Sequence, residues 1–220
     1  MTRFVLATVV ASTLASAASA SFSGYSVERA ATTGGNTRYS VYANFSASNL
    51  VFLNTFSFLN AAGSNAMNAR HQDFFTAVGL VGTWTAGTSV SATDRGEDSW
   101  VTASGLATSS GWGTALDPGF TAGGEVGDIN NGAGWYDATP STPNAIAVGG
   151  TQGGYRMLLA QIVRNGSDVD AMATFYMKSS FKVAGTTTAL FGEGTFSIGV
   201  PAPGAMALLG LAGMAGRRRR

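Results

Sequence analysis

The chain predicts an all-β protein: an antiparallel two-sheet β-sandwich, jelly-roll-like, of about seven to nine strands. Three observations predict it. Apolar and polar residues alternate at period two in segments about ten residues long. These segments are joined by short clusters of Gly, Asn, Ser and Thr, too short for the crossovers that parallel strands need. The composition agrees, with 30 glycines, 10% aromatic residues and only 11% charged residues in 220. Strand surfaces would then carry Thr and Ser in place of Lys and Glu. Recurrent apolar runs exclude a disordered chain, and no repeat of 20 to 50 residues is evident.

Taken in order, Phe22 to Arg29 alternates and reads as the first strand. Thr33-Gly34-Gly35-Asn36 is a turn signal, so a hairpin is expected, with Thr37 to Phe45 as the partner. Asn44 to Asn49 makes the next turn. Leu50 to Leu59 is the strongest apolar run of the body, and its β-branched and aromatic residues favour a buried strand over a helix. The three strands are expected to form a meander.

The middle is less regular. Asn60 to Arg70 reads as a loop, and His71 to Val78 is ambiguous between strand and helical turn. Gly79 to Ser91 is rich in Gly and Thr around Trp84, and Ser99 to Ser104 reads as a strand. Gly105 to Gly154 is dominated by loops, a stretch long enough to suggest a binding surface. Regular structure returns at Tyr155 to Arg164, apolar on both faces and therefore a central strand. Asn165 to Asp168 is a turn. Ala171 to Val183 alternates, and Thr186 to Ile198 closes the domain with Leu190, Gly192, Gly194 and Phe196 on one side.

Candidate chemistry is sparse. The single histidine, His71, has Asp73 two residues on, but no G-x-S-x-G elbow accompanies any serine, so a secreted hydrolase is a lesser reading. Asp94, Glu97 and Asp98 cluster, but nothing fixes two carboxyls across a sugar cleft. Glu125, Asp128 and Asn130 are weak calcium candidates. Asp128 to Gly132 is similar to the opening of an EF-hand-type loop, but fails at its fifth position and has Thr139 at its twelfth. No cofactor is predicted and no catalytic residue is assigned. Trp84, Trp100, Trp112, Trp135 and Tyr136 lie in the loop-rich middle. Exposed rings there would stack on sugars and make a carbohydrate-binding or protein-docking module.

The two ends carry the clearest signals. Residues 1–20 read as a signal peptide: Arg3, an apolar run from Phe4, then Ala18-Ser19-Ala20 before Ser21, a small-residue site for signal peptidase, with cleavage after Ala17 as the alternative. Residues 200–220 begin with Pro201, Ala202, Pro203 and Gly204, continue through an apolar run, and end in Arg217, Arg218, Arg219 and Arg220. The prolines keep the upstream segment extended. The run from Ala205 to Gly216 can form a short apolar helix, well below the ~20 residues that span a bilayer. The arginines favour a cytoplasmic C-terminus.

This tail resembles the PEP-CTERM sorting signal of Gram-negative bacteria, in its Pro-Ala-Pro variant, where Ala202 stands in place of the name-giving Glu. The same kind of tail is also catalogued as an ice-binding protein C-terminal domain, although it offers no surface suited to ice. The resemblance covers about a tenth of the chain. It implies transient insertion in the inner membrane through the C-terminal helix and processing by an exosortase-like membrane enzyme. Delivery to the cell surface or extracellular matrix would follow, in association with exopolysaccharide.

Removing both signals leaves a body of residues 21–199. Arg3 and the four terminal arginines are five of the 13 basic residues, so this body carries 8 against 12 acidic residues. Its only lysines are Lys178 and Lys182, and no basic patch suits nucleic acid. Cysteine is absent, so stability rests on packing. The expectation is an exported, non-catalytic protein with a structural or adhesive role.

Overall fold

The computed structural model describes residues 21–61, 84, 91–103, 113–117, 133–138, 147–150, 154–164, 166 and 172–199. The expected signal peptide, the C-terminal tail with its expected helix, His71, Asp73, Trp112, Glu125, Asp128 and Asn130 lie outside them. The fold is an all-β sandwich of two antiparallel sheets, each of five strands.

The opening hairpin forms as its pattern predicts. β1 (Phe22–Ala31) pairs with β2 (Thr37–Phe45) from Ala31↔Thr37 to Phe22↔Phe45. The turn between them has Gly35 at φ +80°, a conformation that β-carbon-bearing residues rarely adopt. The expected meander is not formed. The second edge of β2 is taken by β8 (Tyr155–Arg164), paired from Thr37↔Arg164 to Phe45↔Tyr155. β3 (Leu50–Asn60) crosses instead to the other sheet. Its first three residues, Leu50, Val51 and Phe52, are all buried, and a strand apolar on both faces needs neighbours on both sides.

The first sheet runs β1-β2-β8-β4, where β4 is Trp100–Val101 and β7 (Val148–Gly149) also pairs with β8. β8 is the central strand that its two apolar faces imply. The second sheet runs β10-β9-β3-β6-β5, with β5 at Thr114–Leu116, β6 at Ala133–Asp137, β9 at Ala173–Val183 and β10 at Ala189–Ile198. The stretch 105–154 is therefore not all loop, since it supplies β5, β6 and β7. The described residues hold ten strands, more than the seven to nine expected, because strands of two or three residues carry no readable period.

Between the sheets lies one core, rich in aromatic rings. Phe45 meets Phe181 at 4.8 Å between centroids, Phe58 meets Trp135 at 5.8 Å, and Phe175 meets Phe196 at 5.5 Å. Such offset and edge-on pairs contribute ~1 kcal/mol each beyond their area. Phe22 and Tyr25 bring β1 against β10 at one edge of the sandwich. A second small cluster, Trp100, Leu158 and Tyr42, packs apart from the main core.

The one described helix, α1 (Ala92–Gly96), starts at Ser91, whose hydroxyl accepts from the Asp94 N–H at 3.1 Å. Among the described residues no helix is long and apolar enough to cross a membrane.

Candidate functional site

The candidate site is the outer face of the second sheet, and two β-bulges in β3 create it. Strict alternation along Phe52, Asn54, Phe56 and Phe58 would put all four on one face. The register shifts between Phe52 and Asn54 and again between Thr55 and Ser57. Phe52 and Phe58 consequently point into the core, with Thr55 between them, while Phe56 is turned out and 39% exposed.

Rows of paired residues then run across the face. Tyr136 of β6 pairs with Asn54 of β3, Asn54 with Ser180 of β9, and Ser180 with Phe191 of β10. The usual strand spacing makes this row about 14 Å wide. Its ends are aromatic and open, with Phe191 65% and Tyr136 46% exposed. Its middle is polar: the Ser180 hydroxyl donates to Asn54 Oδ1.

The next row pairs Ser57 with Lys178 and Lys178 with Glu193. Ser180 is small, so Phe56 and Phe191 lean toward each other over β9. Their rings stand 6.3 Å apart at 88°, edge to face. Lys178 Nζ lies 5.7 Å from the centroid of the Phe56 ring and 3.3 Å from Glu193 Oε2. Tyr176 donates its hydroxyl to the same carboxylate oxygen at 3.1 Å. That hydrogen bond, then Lys178, hold the Glu193 carboxyl below its ordinary range. Phe56, Lys178, Phe191 and Glu193 line a shallow depression of about 530 Å³.

The sequence-predicted candidates fare differently. Of the rings expected to form a ligand face, Trp84, Trp100 and Trp135 are buried. Trp135 stacks among Phe52 and Phe58 and donates its indole N–H to the Thr102 carbonyl at 3.1 Å. Trp100 donates to the Arg95 carbonyl at 3.2 Å. Trp84 and Trp135 belong to the main core and Trp100 to the smaller cluster with Leu158 and Tyr42, and of the described candidates only Tyr136 is open.

Phe56, Tyr176, Lys178, Phe191 and Glu193 were not singled out by sequence. Phe191 does carry a signal: it is a large ring in the outward phase of a strand whose inward phase is Leu190, Gly192, Gly194 and Phe196.

In the Asp94, Glu97 and Asp98 cluster, the carboxylates of Glu97 and Asp94 do structural work. Glu97 accepts from Thr32 Oγ1 at 2.7 Å, from the Gly34 N–H at 2.5 Å and from Asn36 Nδ2 at 2.9 Å, which ties the segment after α1 to the β1–β2 turn. Asp94 accepts from the Ser91 hydroxyl at 2.6 Å. Beside this turn Thr32, Arg38, Thr93 and Glu97 line a smaller hollow of about 260 Å³. On the first sheet Arg156 pairs with Glu28 and stacks over the Tyr42 ring at 4.0 Å. The Arg156 hydrogen bond holds the Glu28 carboxyl below its ordinary range.

Among the described residues no group of three or more His, Asp or Glu could hold a metal ion. The chemistry that the outer face offers is apolar stacking on open rings, with a donor and an acceptor fixed beside them. Comparison with protein-family models, with curated proteins and with solved structures finds no match for the chain.

Proposed function

We propose that the chain is an exported, non-catalytic protein of the cell surface or extracellular matrix, delivered by its C-terminal signal and associated with exopolysaccharide. The observation that carries this reading is the order of parts in the tail: Pro201-Ala202-Pro203-Gly204, an apolar run, then Arg217 to Arg220. The leader with Ala18 and Ala20 before Ser21 is its counterpart at the other end. Entry through a secretory signal and brief retention by a short apolar helix form one route. Signal peptidase and an exosortase-like membrane enzyme act on it in turn.

One feature of the body supports the reading: the outer face of the second sheet combines open rings with hydroxyl and amide groups, a combination suited to sugars.

The experiment places one epitope tag in the exposed 184–188 turn and another after Arg220. Both are followed across cell fractions, with and without the host's exosortase-like enzyme. The expected result is separation of the two tags only when that enzyme is present, with the internal tag at the surface or in the matrix. Tags that stay together in the inner membrane regardless would make the tail a simple anchor and end the surface-matrix reading.

A further inference from the structure

We infer that the outer face of the second sheet, centred on Phe56 and Phe191, binds an uncharged polysaccharide chain. This names the ligand class for the polysaccharide association proposed above and rests on that reading only for its biological setting.

Two phenylalanines at 39% and 65% exposure are costly in water and have no role in the core. They stand edge to face at 6.3 Å, forming a notch and not a flat patch. One wall of such a notch offers a ring face to the C–H surface of a pyranose. Its rim is set by Lys178 and Glu193, a donor and an acceptor held 3.3 Å apart, and by the Tyr176 hydroxyl. Sugar hydroxyls require that mixture, since each both donates and accepts.

Charge selects among glycans. Lys178 and Glu193 neutralise one another, so the notch they line keeps no net charge with which to hold a polyuronate or a sulfated chain. Among the described residues of this face, the one charge beside it is Lys182, the next outward residue of β9 after Ser180. The extent of the face favours an elongated ligand, because Tyr136 opens at the far end of a row about 14 Å wide from Phe191. Asn54 and Ser180 lie between them.

A protein partner fits less well. A stable protein interface buries about 800 Å² on each side around a continuous apolar centre. Here the open apolar part is the Phe56 and Phe191 rings, with the Tyr136 ring apart at the far end of the row, and the outward positions next to Phe191 are Ala189 and Glu193 on β10 and Lys178, Ser180 and Lys182 on β9.

The test is affinity electrophoresis of the full-length chain, purified in mild detergent, through gels containing dextran, galactomannan, hydroxyethylcellulose or alginate. Expected is retardation by at least one of the three uncharged polymers, weaker or none by alginate, and a loss of about tenfold in affinity for F191A and F56A. E193Q should weaken binding several-fold while leaving the rings in place. Both phenylalanines are exposed, so unchanged thermal unfolding of F191A separates a binding loss from a folding loss. K178M, which keeps the stem over Phe56 and removes the charge, is the second variant.

Absence of retardation by every uncharged polymer overturns the inference. So does retardation that F191A, F56A and K178M all leave intact, or a preference for alginate. Self-association that F191A abolishes would assign the face to a second copy of the chain and overturn it too. Glycan binding and tag separation are read independently, so either proposal can fail while the other stands.

Discussion

Single residues decide how the open edge of the sandwich closes. A β-carbon on Gly192 would fall 2.6 to 2.8 Å from three carbons of the Phe22 ring, so only glycine lets β1 seat against β10. Gly192→Ala should cost about 1–3 kcal/mol through overpacking, read as a lower denaturant midpoint, and Phe22→Leu in the same chain should recover part of the loss. An unchanged midpoint would mean that the ring does not sit there. Next to it, the Tyr25 hydroxyl donates to the Gly192 carbonyl at 3.1 Å and lies 3.2 Å from Ser179 Oγ, which is 2.7 Å from Thr55 Oγ1. Burial pushes the Tyr25 phenol well above its ordinary value. The sign follows directly. The folded chain keeps this phenol protonated while the unfolded chain ionises it near pH 10, so its contribution is complete below about pH 10 and declines above it. Tyr25→Phe should lose about 1 kcal/mol at neutral pH with the hydrogen bond, yet lose less than the parent chain between about pH 9 and about pH 11. Parallel unfolding curves for both proteins across that range would refute the assignment.

At the scale of elements, the Glu97 carboxylate is the joint between α1 and the opening hairpin, because one side chain accepts from Thr32, Gly34 and Asn36. Glu97→Ala should destabilise by about 2 kcal/mol, the range for hydrogen bonds to a charged group, and should speed amide exchange in residues 32–37 before other strands are affected. Protection unchanged in that turn would count against the joint. Glu97 also shows where sequence reading stops: beside Asp94 and Asp98 it looks like an acidic cluster, and only the fold shows that its partners lie some sixty residues earlier in the chain. Long strands with clean alternation were legible. β1, β2, β8, β9 and β10 lie where their periods put them, and the inward phases of β9 and β10 match Phe175 and Met177, and Gly192 and Phe196. β3 was legible as a buried strand but not in its faces, because two bulges reverse the phase twice within seven residues. That reversal hid Phe56, the residue on which the candidate site most depends. β4, β5 and β7 are two or three residues long and leave no period to read. The tryptophans were legible as important and illegible as to side, since burial of Trp100 and Trp135 depends on strands about 60 and about 80 residues away in sequence.

For the whole molecule, one core serves both sheets, and the link across it is Trp135. Its ring belongs to β6 in the second sheet, while the carbonyl that its N–H reaches belongs to Thr102, the residue after β4 in the first. The Val101 N–H in turn donates to the Trp84 carbonyl at 2.7 Å. No disulfide shares the load, since the chain has no cysteine. Unfolding should therefore be a single event in which fluorescence of the buried tryptophans and far-ultraviolet dichroism change together, the signature of a two-state domain, and added reductant should not move it. Trp135→Ala should cost about 3–5 kcal/mol, as for other large aromatic truncations, a large part of the 5–15 kcal/mol that holds an ordinary domain together. Trp135→Phe should cost less, because it keeps a ring between Phe52 and Phe58 and gives up the N–H bond across the core. If the sheets were held independently, Trp135→Phe would split the transition, with dichroism persisting after the fluorescence of Trp84 and Trp100 had changed. A single transition moved to lower denaturant is the result that one shared core requires.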